Sequence, residues 1–92
     1  MTKYEIKPTK AFKKGLKLSL KRGKDEEKIK IVITQLANGI PLEPKYNDHQ
    51  LHGKYNDCRE CHIEPDWLLI YKIKNDKLIL TLTNTGSHSD LF

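Results

Sequence analysis

No stretch of this sequence approaches the roughly 18 consecutive apolar residues that a membrane-spanning helix needs. The opening segment MTKYEIKPTKAF also lacks the apolar run of a secretory signal peptide. Both absences favour a cytoplasmic protein without a membrane partner, in a compartment where thiols stay reduced. No internal repeat and no low-complexity tract is present. The 92 residues are read as a single domain, 1–92. At 37% hydrophobic and 32% charged, the chain can build one small core and little more.

Cysteine is scarce: only Cys58 and Cys61 occur. They sit in Cys58-Arg59-Glu60-Cys61-His62, the C-x-x-C-H spacing used for covalent haem attachment. No second C-x-x-C and no spaced histidine pair completes a four-ligand zinc set. The segment also reads as a strand, in which residues three apart point to opposite faces with α-carbons about 10 Å apart. A disulfide needs α-carbons within about 7 Å. The two cysteines are therefore expected to be small, partly buried thiols, with no cofactor and no metal.

What is abundant is lysine, and it is unevenly placed. The formal charge is +5, but residues 1–30 alone carry a balance of +7 and the remaining 62 a balance of −2. A basic half of this kind suits a polyanion such as nucleic acid.

Periodicity changes midway. Lys3–Lys7 can form a short strand ended by Pro8. Thr9 can cap a helix whose Phe12, Leu16 and Leu20 form one apolar stripe, weakened at Gly15 and ended by Gly23. Asp25 can cap a second helix with Ile29, Val32, Ile33 and Leu36 at helical spacing, stopped at Asn38-Gly39. The short link predicts an antiparallel helical hairpin. After an irregular stretch over Ile40–Asp48 the period becomes two. Strands are expected near Gln50–Tyr55, Arg59–Ile63, Trp67–Lys74 and Lys77–Asn84, the last two joined by a turn at Asn75-Asp76. The order β-α-α-β-β-β-β defines a two-layer α+β domain with an antiparallel-rich sheet and the hairpin packed on one face.

All four histidines follow residue 48. If the strands at 59–63 and 67–74 pair, the turn between them places His62 near Asp66. The loop carrying His49 and the tail carrying His88 could reach the same sheet end. Imidazoles gathered beside a carboxylate make an acid–base site. His52 reads as a surface histidine in register with Gln50.

The segments DHQLHG, RECHIEPDWLLIYKI and TGSHSDLF together resemble the YafQ branch of the RelE/ParE toxin superfamily, across essentially the whole chain. The resemblance implies a RelE-like fold and a toxin of a type II toxin–antitoxin module. It further implies a ribosome-dependent, metal-independent endoribonuclease that cleaves messenger RNA in the ribosomal A site and so inhibits translation. A cognate antitoxin of the DinJ/RelB-like kind would inhibit it, and operator DNA would be bound only through their complex. Functional positions of the family fall on His49, His62, Asp66, His88 and Phe92. Trp67 matches a neighbouring position of structural support beside the substrate. One departure is Asn84, where this branch typically carries arginine; Lys54, Arg59 or a protonated histidine would then have to supply the charge on the phosphate. Lys10, Lys13, Lys14, Lys17, Lys21, Arg22 and Lys24 are the candidates for ribosomal RNA phosphates. The competing expectation is a non-enzymatic toxin of the same fold, such as a ParE-like inhibitor of DNA gyrase.

Overall fold

Thr9 starts the first helix as its spacing predicts. In the computed structural model, which describes residues 2–92, its hydroxyl accepts a hydrogen bond from the Phe12 amide at 3.0 Å. The helix, α1, runs Lys10–Lys21. Gly23, at φ +91°, then takes the left-handed conformation that a residue with a Cβ resists. Asp25 caps α2, Glu26–Ala37, by accepting from the Glu27 amide, and Glu26 and Glu27 suit the positive end of its dipole.

Five strands form one sheet. They are β1 (Glu5–Pro8), β2 (His49–Gln50), β3 (Arg59–Glu64), β4 (Trp67–Lys74) and β5 (Ile79–Gly86), in the spatial order β1-β5-β4-β3-β2. Only β1 is parallel to its neighbour; the other pairings are antiparallel. The nearly continuous apolar run of β4 fits its place at the centre, where its first five residues are all buried.

The helices cover one face of the sheet. Phe12, Ile29, Val32 and Leu36 pack there against Cys61, Trp67, Leu69, Tyr71, Leu80 and Leu82. Burying each large aliphatic side chain contributes about 1.5–3 kcal/mol. The opposite face carries a smaller cluster of Cys58, Leu68, Ile70 and Leu91, flanked by Leu51 and Tyr55. Cys58 and Cys61 thus lie on opposite sides of the sheet, both unpaired.

Gly15 is more than a weak point in α1. A Cβ there would lie 2.2 Å from the Thr85 carbonyl oxygen. Only glycine lets the helix backbone approach β5 this closely.

Two expectations need correction. The strand expected at Gln50–Tyr55 shrinks to His49–Gln50, because Gly53, at φ +71°, opens a 3-10 turn over Gly53–Tyr55. The turn expected at Asn75-Asp76 extends to Leu78, which itself takes φ +52°, so β5 starts at Ile79 instead of Lys77. The tail, for which the sequence predicts no element, is also ordered. Ser87 forms a capping box with Asp90 and starts a one-turn helix, α3, over His88–Leu91.

Candidate active site

Alternation along β3 decides what reaches the open face. Cys61 points into the helix-covered core, so Glu60 and His62 point the other way; their register partners Ile70 and Leu68 belong to the open-face cluster. His49 pairs with Glu60 across the edge of the sheet. A register irregularity between His62 and Glu64 bends β3 where it turns into β4.

The loop before His49 is fixed from both sides. Asp48 turns to the covered face, where its carboxylate accepts from the Tyr71 hydroxyl at 2.5 Å and from the Arg59 Nε at 3.2 Å. Burial and the neighbouring Asp48 charge push the Tyr71 hydroxyl well up from its ordinary value. Asn47, at φ +48°, presents its carbonyl to His49, whose Nδ1 lies 2.7 Å away. Asparagine tolerates this left-handed conformation better than most residues.

Asp66 organises the other end. Its carboxylate accepts from the His88 backbone amide at 2.9 Å and contacts the His88 Nδ1 at 2.7 Å. These two bonds hold the Asp66 carboxyl below its usual range, the backbone amide contributing most. Since a carboxylate only accepts, His88 carries a proton on Nδ1, and in the neutral ring Nε2 keeps the lone pair. The α3 turn behind it is locked by Arg22, which donates to both oxygens of Asp90 at 2.7 and 3.3 Å. That pairing, with the Ser87 amide, pulls the Asp90 carboxyl down to about 2.

These ends meet in one row. The His88 and His62 rings lie 5.7 Å apart and the His62 and His49 rings 6.2 Å apart. Between the latter two sits Glu60, with Oε1 3.0 Å from the His62 Nε2 and 3.6 Å from the His49 Nε2. The order across the surface is Asp66, His88, His62, Glu60, His49. Glu60 does not emerge from sequence reasoning, although a carboxylate two residues before His62 on a strand must share its face. It is 5% exposed, which separates it from the chain's many surface glutamates.

The remaining candidates are scattered. Phe92 is 65% exposed and meets the edge of the Tyr55 ring at 5.8 Å, while the Lys54 ammonium lies 5.4 Å from that ring. Tyr55 is another residue that sequence reasoning passes over. Arg59 is turned away onto the covered face with Asp48. Trp67 is 1% exposed and its indole donates to Thr85, so it supports β4 from beneath and cannot touch a substrate. Asn84 turns its side-chain oxygen onto the Thr85 amide, in a hollow shared with Lys14, Gly15, Leu18 and Asp90 and no histidine. His52 is exposed.

Lys10, Lys13, Lys14, Lys17 and Lys21 are exposed along α1 and form no ion pair among the described residues. Arg22 and Lys24 differ. Arg22 is held by Asp90, and Lys24 joins Lys28 on Glu64 at the end of β3. No helix among the described residues is long and apolar enough to cross a membrane.

Comparison with known proteins gives this arrangement a context. Residues 4–92 match the family model described as the bacterial toxin of type II toxin–antitoxin systems, YafQ. The mRNA interferase toxin YafQ of Escherichia coli K12 is 43% identical over 93 aligned positions, covering all of this chain and 99% of the relative. The structure of the E. coli DinJ–YafQ toxin–antitoxin complex superposes with a TM-score of 0.89 at 40% identity, covering 98% of each chain. A metal-bound toxin from Helicobacter pylori superposes with a TM-score of 0.90 at 46% identity over the full length of both chains. The family match, the full-length identity and the superposition agree: this chain belongs to the YafQ family of bacterial toxins of type II toxin–antitoxin systems.

Proposed function

We propose that this toxin is a ribosome-dependent endoribonuclease that cleaves messenger RNA in the ribosomal A site, with the RNA 2′-hydroxyl as nucleophile. The observation that carries the reading is the row Asp66–His88–His62–Glu60–His49 on the open sheet face. Intramolecular cleavage needs a base for the 2′-hydroxyl proton and an acid for the leaving 5′-oxygen. His88 suits the role of base, because Asp66 fixes its Nδ1 proton and leaves Nε2 free to accept. His49 and His62, whose Nε2 atoms both face the Glu60 carboxylate, suit the role of acid, since a proton can be held there between ring and carboxylate. A doubly protonated ring here would also place positive charge beside the phosphate, where Asn84 has none to offer.

The surroundings suit a flexible strand of RNA. A cavity of about 480 Å³ opens beside His62 and is lined by Lys28, Lys45, Tyr46 and Asn47. On the other side, Phe92 and Tyr55 offer aromatic surface against which a base can stack. The unpaired lysines of α1 supply the charge for a large ribosomal partner. A DinJ-like antitoxin is the expected inhibitor, on the strength of the E. coli complex.

The test is single-turnover cleavage of a defined message by purified toxin, with and without ribosomes. Cuts confined to the A-site codon of programmed ribosomes support the proposal. A toxin that arrests replication through gyrase and leaves the message intact would replace it with the non-enzymatic reading.

A further inference from the structure

From the cavity beside His62 we infer a subsite for the nucleotide immediately 3′ of the cut, with the Asn47 carboxamide reading its base. The inference rests on the ribonuclease reading and names the part of the message that the cavity takes. Its volume of about 480 Å³ falls in the range of roughly 300–1,000 Å³ common for small-ligand sites. One side is open, so a nucleotide can enter while still joined to its strand.

Position along the histidine row decides which nucleotide this is. His88 serves the 2′-hydroxyl, which belongs to the nucleotide 5′ of the cut. His62 is one of the pair assigned to the leaving 5′-oxygen, which belongs to the nucleotide 3′ of it. The cavity is bordered by His62 and by neither His88 nor Asp66. A sugar whose 5′-oxygen lies at His62 therefore directs its base into the cavity. Phe92, just past α3, stays on the His88 side for the upstream base.

The walls carry the chemistry of a base site. Single-stranded RNA is recognised by splaying out bases, stacking them on aromatic rings and hydrogen-bonding their edges. Tyr46 ends the 3-10 turn Pro44–Tyr46, packs against the core and leaves part of its ring to the cavity. Ile31 of α2 adds an apolar wall, and at 52% exposure it is one of the large side chains that the fold leaves uncovered. The Asn47 backbone is committed, its amide donating to the Pro44 carbonyl and its own carbonyl facing the His49 Nδ1. The Asn47 carboxamide forms no hydrogen bond among the described residues, so one acceptor and two donors remain for a base edge.

Charge is available at the rim. Lys24 and Lys28 donate to Glu64 at 2.9 and 2.8 Å, so two ammonium groups share one carboxylate and one positive charge is left over. Lys45 stands 3.9 Å from Glu43 with both side chains exposed, a pair of little strength. Lys28 and Lys45 both line the cavity and are the cations for the next phosphate of the strand.

The test has two arms, and the first needs no cleavage. Isotope-labelled full-length toxin is titrated with each of the four nucleoside 5′-monophosphates. The Tyr46 ring and the Asn47 side-chain amide should shift saturably at millimolar concentrations, while the His52 ring stays in place. No shift at either residue would overturn the subsite. In the second arm, single-turnover cleavage is measured on programmed ribosomes whose messages differ only at the nucleotide 3′ of the cut. Wild type should cut the four at unequal rates. Asn47→Gly keeps the left-handed backbone at φ +48°, which glycine accepts, and should bring the four rates together. A ratio across messages is insensitive to a general loss of rate from a looser loop. Tyr46→Leu retains apolar packing and should slow all four about five-fold or more, the loss expected for one base–aromatic stack. Tyr46→Phe should cut as wild type. Equal wild-type rates, or unequal rates that persist in Asn47→Gly, would overturn the reading of the base. Undiminished cleavage by Tyr46→Leu would overturn the stack. Loss of ribosome affinity by both variants, equal on every message, would give the cavity to ribosomal RNA and overturn the inference. If the toxin cuts no message at all, the ribonuclease reading fails, while the nucleotide titration still judges the cavity.

Discussion

The two faces of the sheet are made by the same strands and differ in what their polar groups accomplish. On the covered face polar side chains of the sheet close on other groups: Trp67 on Thr85, Thr85 on the Leu68 carbonyl, Tyr71 and Arg59 on Asp48. On the open face the polar groups form a row with lone pairs left over, and three imidazoles stand within reach of solvent. Polar atoms beneath the helices must be satisfied internally because an unpaired buried group costs about 1–3 kcal/mol. Groups on the open face can stay partly unsatisfied, which leaves them free to bind or exchange a proton. Alternation along β3 therefore separates structural from chemical residues at single-residue spacing.

The largest expected effect comes from breaking the open face. His88→Ala, His62→Ala, His49→Ala and Asp66→Ala should each lower single-turnover cleavage by about 10²–10⁴-fold, the range for a general acid or base. Thermal stability should stay close to wild type for His88 and Asp66, which are exposed. His52→Ala should change neither. Wild-type cleavage by all four variants on programmed ribosomes would remove the catalytic role from this face.

The covered face should respond in the opposite sense. Leu69→Ala deletes a fully buried side chain in the central strand and should cost about 2–5 kcal/mol of stability. Cleavage per folded molecule should be unchanged. Gly15→Ala should also destabilise, because the methyl group meets the Thr85 carbonyl and α1 must move away from β5. Denaturant melts of the two variants beside those of the histidine variants test the division. A stable Gly15→Ala protein would show that α1 is free to shift.

Much of this division is visible in the sequence, and the omissions have physical causes. Helix caps at Thr9 and Asp25 are local hydrogen bonds, so residue type and spacing reveal them. The central strand is legible because a run apolar on both faces fits few other places. Gly53 and Leu78 escape a sequence reading because left-handed conformations there depend on the packing of whole turns. Glu60 escapes it because its importance is burial, and no strand pattern shows that a glutamate will be covered by its neighbours. Trp67, expected as structural support beside the substrate, is buried on the covered face, and Arg59, offered as a substitute charge, pairs there with Asp48.

A smaller effect separates the lysines of α1 from the cations at its end. Reversing Lys13, Lys14 and Lys17 to Glu should weaken ribosome binding and flatten its salt dependence by about one unit of slope per phosphate no longer neutralised. The fold should persist, since these side chains are exposed and unpaired. Arg22→Ala should instead disturb α3 and His88 through Asp90. Equal salt slopes for the triple variant and wild type would show that this stripe does not touch RNA.

Acid offers a finer probe of the same tail. The Asp90 carboxyl is lowered from 3.8 to about 2 by Arg22 and the Ser87 amide. A lowered carboxyl stabilises the fold fully above its ordinary value and loses that contribution as pH falls through the folded one. The Ser87 amide resonance should therefore hold steady from neutral pH down to about 4 and move between about 4 and 2. Asp90→Asn should abolish that movement, and a transition already complete at a pH of about 5 would show that another group holds α3.

The smallest expected effect concerns the one position where charge is missing. Asn84→Arg places a guanidinium on β5, in a hollow already flanked by Lys14 and Asp90. If the arginine reaches over the open face, it should raise the cleavage rate by about ten-fold or less, since a hydrogen bond to a charged group contributes about 1.5–3 kcal/mol and the Thr85 amide loses its present acceptor. If it pairs with Asp90 instead, it competes with Arg22 and the rate should not rise. Asn84→Arg combined with Arg22→Ala distinguishes these outcomes. A gain in the single variant that disappears when the double variant is compared with Arg22→Ala alone means that the new arginine has been drawn to Asp90. A gain preserved in both means that position 84 faces the phosphate directly. No gain in either variant, while the Ser87 amide still reports the Arg22–Asp90 pair in the single variant, would show that charge at position 84 does not limit cleavage.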